Sequence, residues 1–240
     1  MSFIKHVALA VIASLSLSVS VFAAPLAFDL RAGQVDSSYG MSRNYSVAGT
    51  SLTVTGWSNV SAFDHSVIQD KVGVWSGGLG VETGGSPNHS IDSQNGDFDM
   101  LLLSFSDMVT LNAIDLGWIH EGKSSRSDVS VMAGSAPLTA GTSWATLLTL
   151  ANGWKSAGNY NNVGYNEKAV NIGALSSKYW LIGAYNPILG TALANNDSDY
   201  EAFKLEKVKV TKTVRVPEPS ALLLFGLGVL GLAAARGRKR

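Results

Sequence analysis

The chain has 240 residues, 46% hydrophobic and 15% charged, and contains no cysteine. Its formal net charge is zero, but basic residues gather at both tips: residues 25–216 hold 13 Lys and Arg against 17 Asp and Glu, a balance of −4. These figures exclude a disulfide framework, a thiol nucleophile and a zinc–thiolate site. They also argue against a nucleic-acid partner, which needs a basic face.

The first segment, "MSFIKHVALAVIASLSLSVSVFAAP", places Lys5 before an apolar run from Val7 to Phe22, then exits through Ala23 and Ala24 to Pro25. Charged start, apolar centre and small-residue exit are the order of a secretory signal peptide. Residues 1–24 are therefore assigned to a signal helix, cleaved near Ala23 and Ala24. A chain this long buries a core without disulfides.

Residues 25–212 read as strands joined by turns. Ser51–Trp57 alternates Leu52 and Val54 with Thr53 and Thr55, the period of a half-buried strand. Met100–Phe105 is a continuous apolar run, suited to a strand buried on both faces. The next run alternates Val109, Leu111 and Ala113, then changes phase to Ile114, Leu116 and Trp118, which predicts a bulge. Asp128–Gly134 and Lys178–Tyr185 are further strands, and Thr142–Asn152 could form a short helix. Ala202–Lys212 closes the domain with another phase change between Leu205 and Val208. The Gly-, Asn- and Ser-rich stretches "SGGLGVETGGSPNHS" and "ANGWKSAGNYNNVGYN" are expected to separate strands. Many short strands and frequent glycine predict an all-β fold, a jelly-roll-like antiparallel β-sandwich.

Several clusters in this domain bear on chemistry. "HEG" at His120 lacks the second histidine of a zinc helix. His89 near Asp92 suits a dyad, a metal pair or, more commonly, a loop-fixing hydrogen bond. "IDSQNGDFD" brings Asp92, Asp97 and Asp99 together, and "NNDSDYE" adds Asp197 and Asp199. Oxygen ligands on loops suit a structural Ca²⁺. The spacing is not that of an EF-hand, because Gly96 comes one place too early and no Glu closes the loop; the alternative is that Asp and Asn make turns. Trp57, Trp75 and Trp118 fall on strand patterns and are expected in the core. Trp144, Trp154, Tyr160, Tyr165, Tyr185 and Tyr200 lie nearer loops, where aromatic rings pack or stack on sugars. No G-x-S-x-G elbow, phosphate loop or dinucleotide fingerprint occurs. A pair of glycosidase carboxylates is set in space, so sequence does not address it.

The chain closes with "VPEPSALLLFGLGVLGLAAARGRKR". Residues 213–240 are a linker followed by this segment. Ala221–Ala235 has no polar side chain and, as a helix, spans about 22 Å against a hydrocarbon core of about 30 Å. Snorkelling of the basic tail and local thinning let it serve as a short transmembrane helix. Arg236, Arg238, Lys239 and Arg240 should stay cytoplasmic, which places the β domain outside, as the signal peptide also requires. Pro217, Glu218 and Pro219 hold the chain extended. That suits a stiff spacer or a strip gripped by a processing enzyme.

This order of Pro-Glu-Pro, Leu- and Gly-rich helix and basic cluster resembles the PEP-CTERM sorting signal of Gram-negative bacteria, over Val216–Arg240. The resemblance implies exosortase as partner, with processing near Pro217–Pro219 and only transient residence in the inner membrane. Delivery would be to the cell surface or extracellular matrix. Gly78–Phe105, with "IDLGW" and "SDVSVMAG" beyond it, also resembles a family of exosortase-dependent surface proteins, and no catalytic activity comes with that resemblance; no cofactor is expected apart from the structural Ca²⁺. The sequence thus predicts a non-catalytic surface or matrix protein. A carbohydrate-binding module for exopolysaccharide, calcium-stabilised, is the alternative, and a secreted polysaccharide-active enzyme a more distant one.

Overall fold

The structure, a computed structural model, describes residues 24–34, 37–59, 66–82, 89–120, 126–149, 153–193, 200–213 and 228. Apart from Ala24 and Gly228, the predicted signal helix and the predicted span at 221–235 lie outside the described residues. Among the described residues no helix is long and apolar enough to cross a membrane. The β unit runs from Ala23 to Thr213.

That unit is all-β. In chain order its strands are β1 (Leu26–Asp29), β2 (Ser38–Gly40), β3 (Arg43–Val47), β4 (Thr50–Asn59), β5 (Val67–Trp75), β6 (Gly78–Glu82) and β7 (Ile91–Asp92). They continue with β8 (Met100–Ile119), β9 (Ser127–Gly134), β10 (Trp154–Val163), β11 (Lys168–Ala169), β12 (Ser176–Ala184) and β13 (Ala202–Lys212). Every registered strand pairing is antiparallel. The order β1-β13-β6-β5-β4-β8-β12-β9-β10 is supplemented by a β13–β8 pairing. The strands β13, β6, β5, β4 and β8 therefore form a closed circuit of pairings.

β8 makes this circuit work. Residues Met100–Phe105 pair with β4, whereas Val109–Ile119 pair with β13. Its other edge carries β12 across the change of partner, with Leu103 opposite Trp180 and Val109 opposite Ser177. The apolar run at Met100–Phe105 is buried on both faces, as expected. Leu101, Leu103 and Phe105 enter a large core with Leu52, Val54, Val131, Trp180 and Phe203. Met100 and Leu102 enter a second core with Trp57, Met132, Leu181 and Trp144. Trp144 belongs to the short helix α1 (Trp144–Leu147), whose Ser143 side chain accepts from the Thr146 amide. The helix expected within Thr142–Asn152 is thus present, as a cover for the second core.

Both predicted phase changes are bulges. Lys209 pairs with Ala113 and Val210 with Leu111, so Asn112 is the extra residue on β8. Leu205 pairs with Leu116 and Lys207 with Asp115, so Glu206 is extra on β13. A further bulge at Gly117 delivers Ile119, not Trp118, to the core. Trp118 is half-buried on the outer side, contrary to expectation. Two stretches expected as turns also prove to be strands. Gly78–Glu82 forms β6, and "WKSAGNYNNV" forms β10, whose ladder to β9 shifts register near Ala157 and Asn162. Ladder hydrogen bonds from β9 outweigh its Gly and Asn content, and the bulges absorb the misfit.

The circuit closes at one close approach. Gly78 has φ +116, and a Cβ there would lie 2.3 Å from the Leu205 carbonyl oxygen. Gly49, with φ +78 in the β3–β4 hairpin, has open space around it. We therefore expect Gly78→Ala to lower unfolding free energy in urea by about 2–4 kcal/mol, from strain plus overlap. Gly49→Ala should cost about 1 kcal/mol, from backbone conformation alone. Equal losses would show that the β6–β13 contact does not close the circuit.

Candidate functional site

Four places in the β unit carry groups able to act on a ligand or on solvent. The first is the acidic loop between β7 and β8. A 3-10 turn at Gln94–Gly96 carries Asn95 at φ +56 and folds the chain back between Asp92 and Asp99. The Asp99 amide donates to the Asp92 carbonyl oxygen at 2.8 Å. Asn59 at the end of β4 fixes the loop from outside. Its Nδ2 donates to the Gly96 carbonyl at 3.0 Å, while its Oδ1 accepts from the Phe98 amide at 2.7 Å and Trp144 Nε1 at 3.0 Å.

The carboxylates of this loop sit in a poor solvent for charge. Asp92 Oδ1 accepts from the Gln94 amide at 3.2 Å and Oδ2 from the Ser90 hydroxyl at 3.1 Å. Asp99 is 1% exposed; its Oδ2 accepts from the Asp92 amide at 3.3 Å, and no donor reaches Oδ1. Asp97 Oδ1 is likewise buried without a donor. Burial pushes Asp92 and Asp97 up to about 6. Asp99 is raised well above the ordinary carboxylate range, by burial first and then by Asp92 and Asp97. Asp70 on β5, which accepts from the Ser58 hydroxyl at 2.5 Å, adds repulsion to Asp97 and Asp99.

Asp92, Asp97 and Asp99 share this loop, while Asn59 and Asp70, which the sequence reading did not name, arrive from distant strands. Asp197 and Asp199 lie outside the described residues. Among the described residues no three His, Cys, Asp or Glu side chains converge on a metal position. From the same expected acidic stretch, buried Glu201 accepts at Oε2 from the Ser127 hydroxyl and the Asp128 amide, each at 2.8 Å. Nor does His89 form a dyad with Asp92. Its ring lies 5.1 Å from Trp75, its Nδ1 has no hydrogen-bond partner, and burial followed by the Lys204 charge lowers its pKa.

The second place is the outer surface of β5, β8 and β13. Lys204 is only 6% exposed, although its neighbours Phe203 and Leu205 take the core positions. Its ammonium sits 4.5 Å from the Trp118 ring centroid and 5.4 Å from that of Trp75. Cation–π attraction and burial of the lysine stem both favour this placement. Tyr39 meets Trp75 edge-on at 5.3 Å, and the Tyr200 hydroxyl lies 3.2 Å from His120 Nε2. The Trp118 and His120 rings are 6.2 Å apart. His120 is thus engaged by aromatic groups.

The third place is a shallow groove of about 430 Å³, lined by Arg126, Asn162, Tyr165, Asn166, Glu167 and Lys168 among others. Tyr165 is 51% exposed. The Asn162 amide donates to Asp128 Oδ1 at 2.7 Å, which fixes one wall. Of the other loop aromatics named from sequence, Trp144, Trp154, Tyr160 and Tyr185 are buried. Of the loop aromatics named from sequence, Tyr165 is the one exposed among the described residues, and it lies beside amides and charges.

The fourth place is the end of the domain. The Thr213 amide donates to the Met108 carbonyl at 2.9 Å, and its hydroxyl is 2.6 Å from that of Ser176. Thr213 is the last described residue of the β unit, and Pro217 is four residues further on. Pro217, Glu218, Pro219 and the basic tail Arg236, Arg238, Lys239 and Arg240 lie outside the described residues.

Residues 215–239 match the PEP-CTERM protein-sorting motif. No curated protein and no solved structure matches the chain. The chain therefore carries a PEP-CTERM sorting motif at the end of an all-β unit. The motif implies recognition by exosortase and an exported, membrane-anchored precursor.

The acidic loop predicts a pH dependence. Folded Asp92 and Asp97 hold protons up to about pH 6, whereas an unfolded aspartate releases its proton near 3.8. The native state is the better proton binder between these values, so this cluster's contribution to stability falls as pH rises from about 4 to 6. Asp99→Asn should raise stability at pH 7.5 by on the order of 1–3 kcal/mol and flatten that fall, read from melting midpoints. A midpoint unchanged by EDTA would assign the cluster to protons; a midpoint lowered by EDTA would assign it to a bound cation.

Proposed function

We propose that this chain is an exported, non-catalytic protein of the cell surface or extracellular matrix. Its β unit, read as a jelly-roll-like sandwich, is the cargo, and exosortase is the enzyme that releases it. The observation that carries this reading is the junction itself. The last strand of the domain ends at Lys212, and the Pro-Glu-Pro of the sorting motif begins five residues later. Two prolines around one residue favour extended backbone, which suits a processing enzyme that must grip the chain. The engagement of His89 with Trp75, and of His120 with Tyr200, favours a structural over a catalytic role.

A second reading, binding of matrix polysaccharide, is favoured by the Tyr165 groove. An exposed ring face supplies stacking, and Asn162, Asn166, Arg126 and Glu167 supply directional hydrogen bonds. This is the mixture that sugar sites use.

Mass spectrometry of the exported protein should find a C-terminus near Pro217–Pro219, and an intact Arg240 would refute processing. On immobilised exopolysaccharide from the producing cells, Tyr165→Ala should elute at least tenfold more readily than the parent, the loss of one stacking contact plus its desolvation. Equal retention would remove the groove from the binding reading and leave the structural role.

A further inference from the structure

The two ends of the β unit emerge side by side. Leu26 at the start of β1 pairs with Val210 of β13, three residues before Thr213. Adjacent strands lie about 5 Å apart. The segment after the predicted signal and the segment leading to the sorting motif thus leave from one edge. That edge continues across β13, β8 and β12, through Lys212 opposite Val109 and Ser177 opposite Val109 on the other side.

Beside this exit lies a groove of about 320 Å³ whose lining includes Met108, Lys155, Leu175, Ser176, Lys178 and Tyr179. Met108 is 42% exposed. Lys155 and Lys178 are exposed, and no carboxylate pairs with either among the described residues. Asp107, the acid at this edge, is already engaged. Lys212 Nζ lies 2.9 Å from its Oδ2, and the hydroxyls of Thr50 and Ser106 also donate to it. Among the described residues the exit edge therefore presents two ammonium groups without a carboxylate partner, the exposed Ser176 hydroxyl and an exposed thioether.

Chain length limits how far this edge can stand from the bilayer. From Thr213 to Ala221 is eight residues, at most about 28 Å when fully extended. An ion contact too weak to hold a free protein becomes effective within such a tether, because the local concentration of headgroups is high. Phosphate headgroups accept from ammonium and hydroxyl donors, and a thioether fits the boundary with acyl chains.

We propose that the groove at Lys155, Lys178 and Met108 docks the precursor on anionic phospholipid headgroups of the membrane that holds its sorting segment. Docking fixes which edge of the domain faces the bilayer and holds the Pro-Glu-Pro strip at the surface for exosortase. The proposal rests on the anchored-precursor reading of the sorting motif. It is a property of the precursor, because release of the tail removes the tether on which it depends.

The absence of cysteine makes the test direct. The full chain carrying Met108→Cys, labelled with an environment-sensitive fluorophore, is reconstituted into vesicles of phosphatidylcholine with or without phosphatidylglycerol. Flotation first establishes that the chain is membrane-bound; failure to float overturns the anchored precursor and the docking together. In floating protein, the emission should shift to the blue with phosphatidylglycerol and return on raising salt. The shift should be lost in the Lys155→Gln/Lys178→Gln double variant, with flotation unchanged. No lipid dependence, or a shift that survives the double variant, overturns the docking while leaving the anchor intact. A shift that needs exosortase in the vesicle transfers the groove to that enzyme and overturns the lipid occupant.

Discussion

The fold depends on one strand having two partners along one edge. β8 is paired with β4 as far as Phe105 and with β13 from Val109 onward. A flat strand cannot serve two sheets without exposing the backbone polar groups at the change, and buried unpaired backbone is costly. Here the change falls at Ser106–Met108, at the surface. Asp107 binds Thr50 and Lys212 there, while the Met108 carbonyl accepts from the Thr213 amide. On the opposite edge β12 pairs with β8 on both sides of the change, Tyr179 with Ser104 and Ser177 with Val109, with a register shift between them. The large core then forms between the two halves, and the second core forms behind the first half under α1.

Where local pattern and tertiary position agree, the sequence was sufficient. Leu52 and Val54 point inward and the run at Met100–Phe105 is buried on both faces, because side-chain period follows directly from the pleat. The two phase changes were legible for the same reason, since a bulge shifts which residues face the core. The bulge at Gly117 left no such mark. Both Trp118 and Ile119 are apolar, so nothing in the pattern tells which one enters. β10 was hidden by composition: Gly158, Asn159, Asn161 and Asn162 look like turn residues, and only pairing with β9 makes them a strand.

The candidate sites were less legible because they are assembled across long separations. The acidic loop was visible as a run of aspartates, but the groups that decide its behaviour, Asn59 and Asp70, lie some twenty to forty residues upstream. Lys204 was invisible as a buried charge. Its alternation with Phe203 and Leu205 marks it as outward-facing, and only the bulged neighbour Trp118 and the β5 residue Trp75 enclose it. The sorting motif was fully legible because its information is carried by linear order: proline-held strip, apolar run, basic end.

The position of β13 has a mechanical meaning. It is the strand next to the sorting motif, and it is held on one side by β1 and on the other by nine registered pairs with β8. Were the carboxyl end fixed to a surface, as proposed, drag on the domain would enter the fold through Thr213. A pull along the β13 axis loads those pairs together, in shear, whereas a pull across it would open them one at a time. On that reading β13 spreads such a load over its pairs and transmits it into β8.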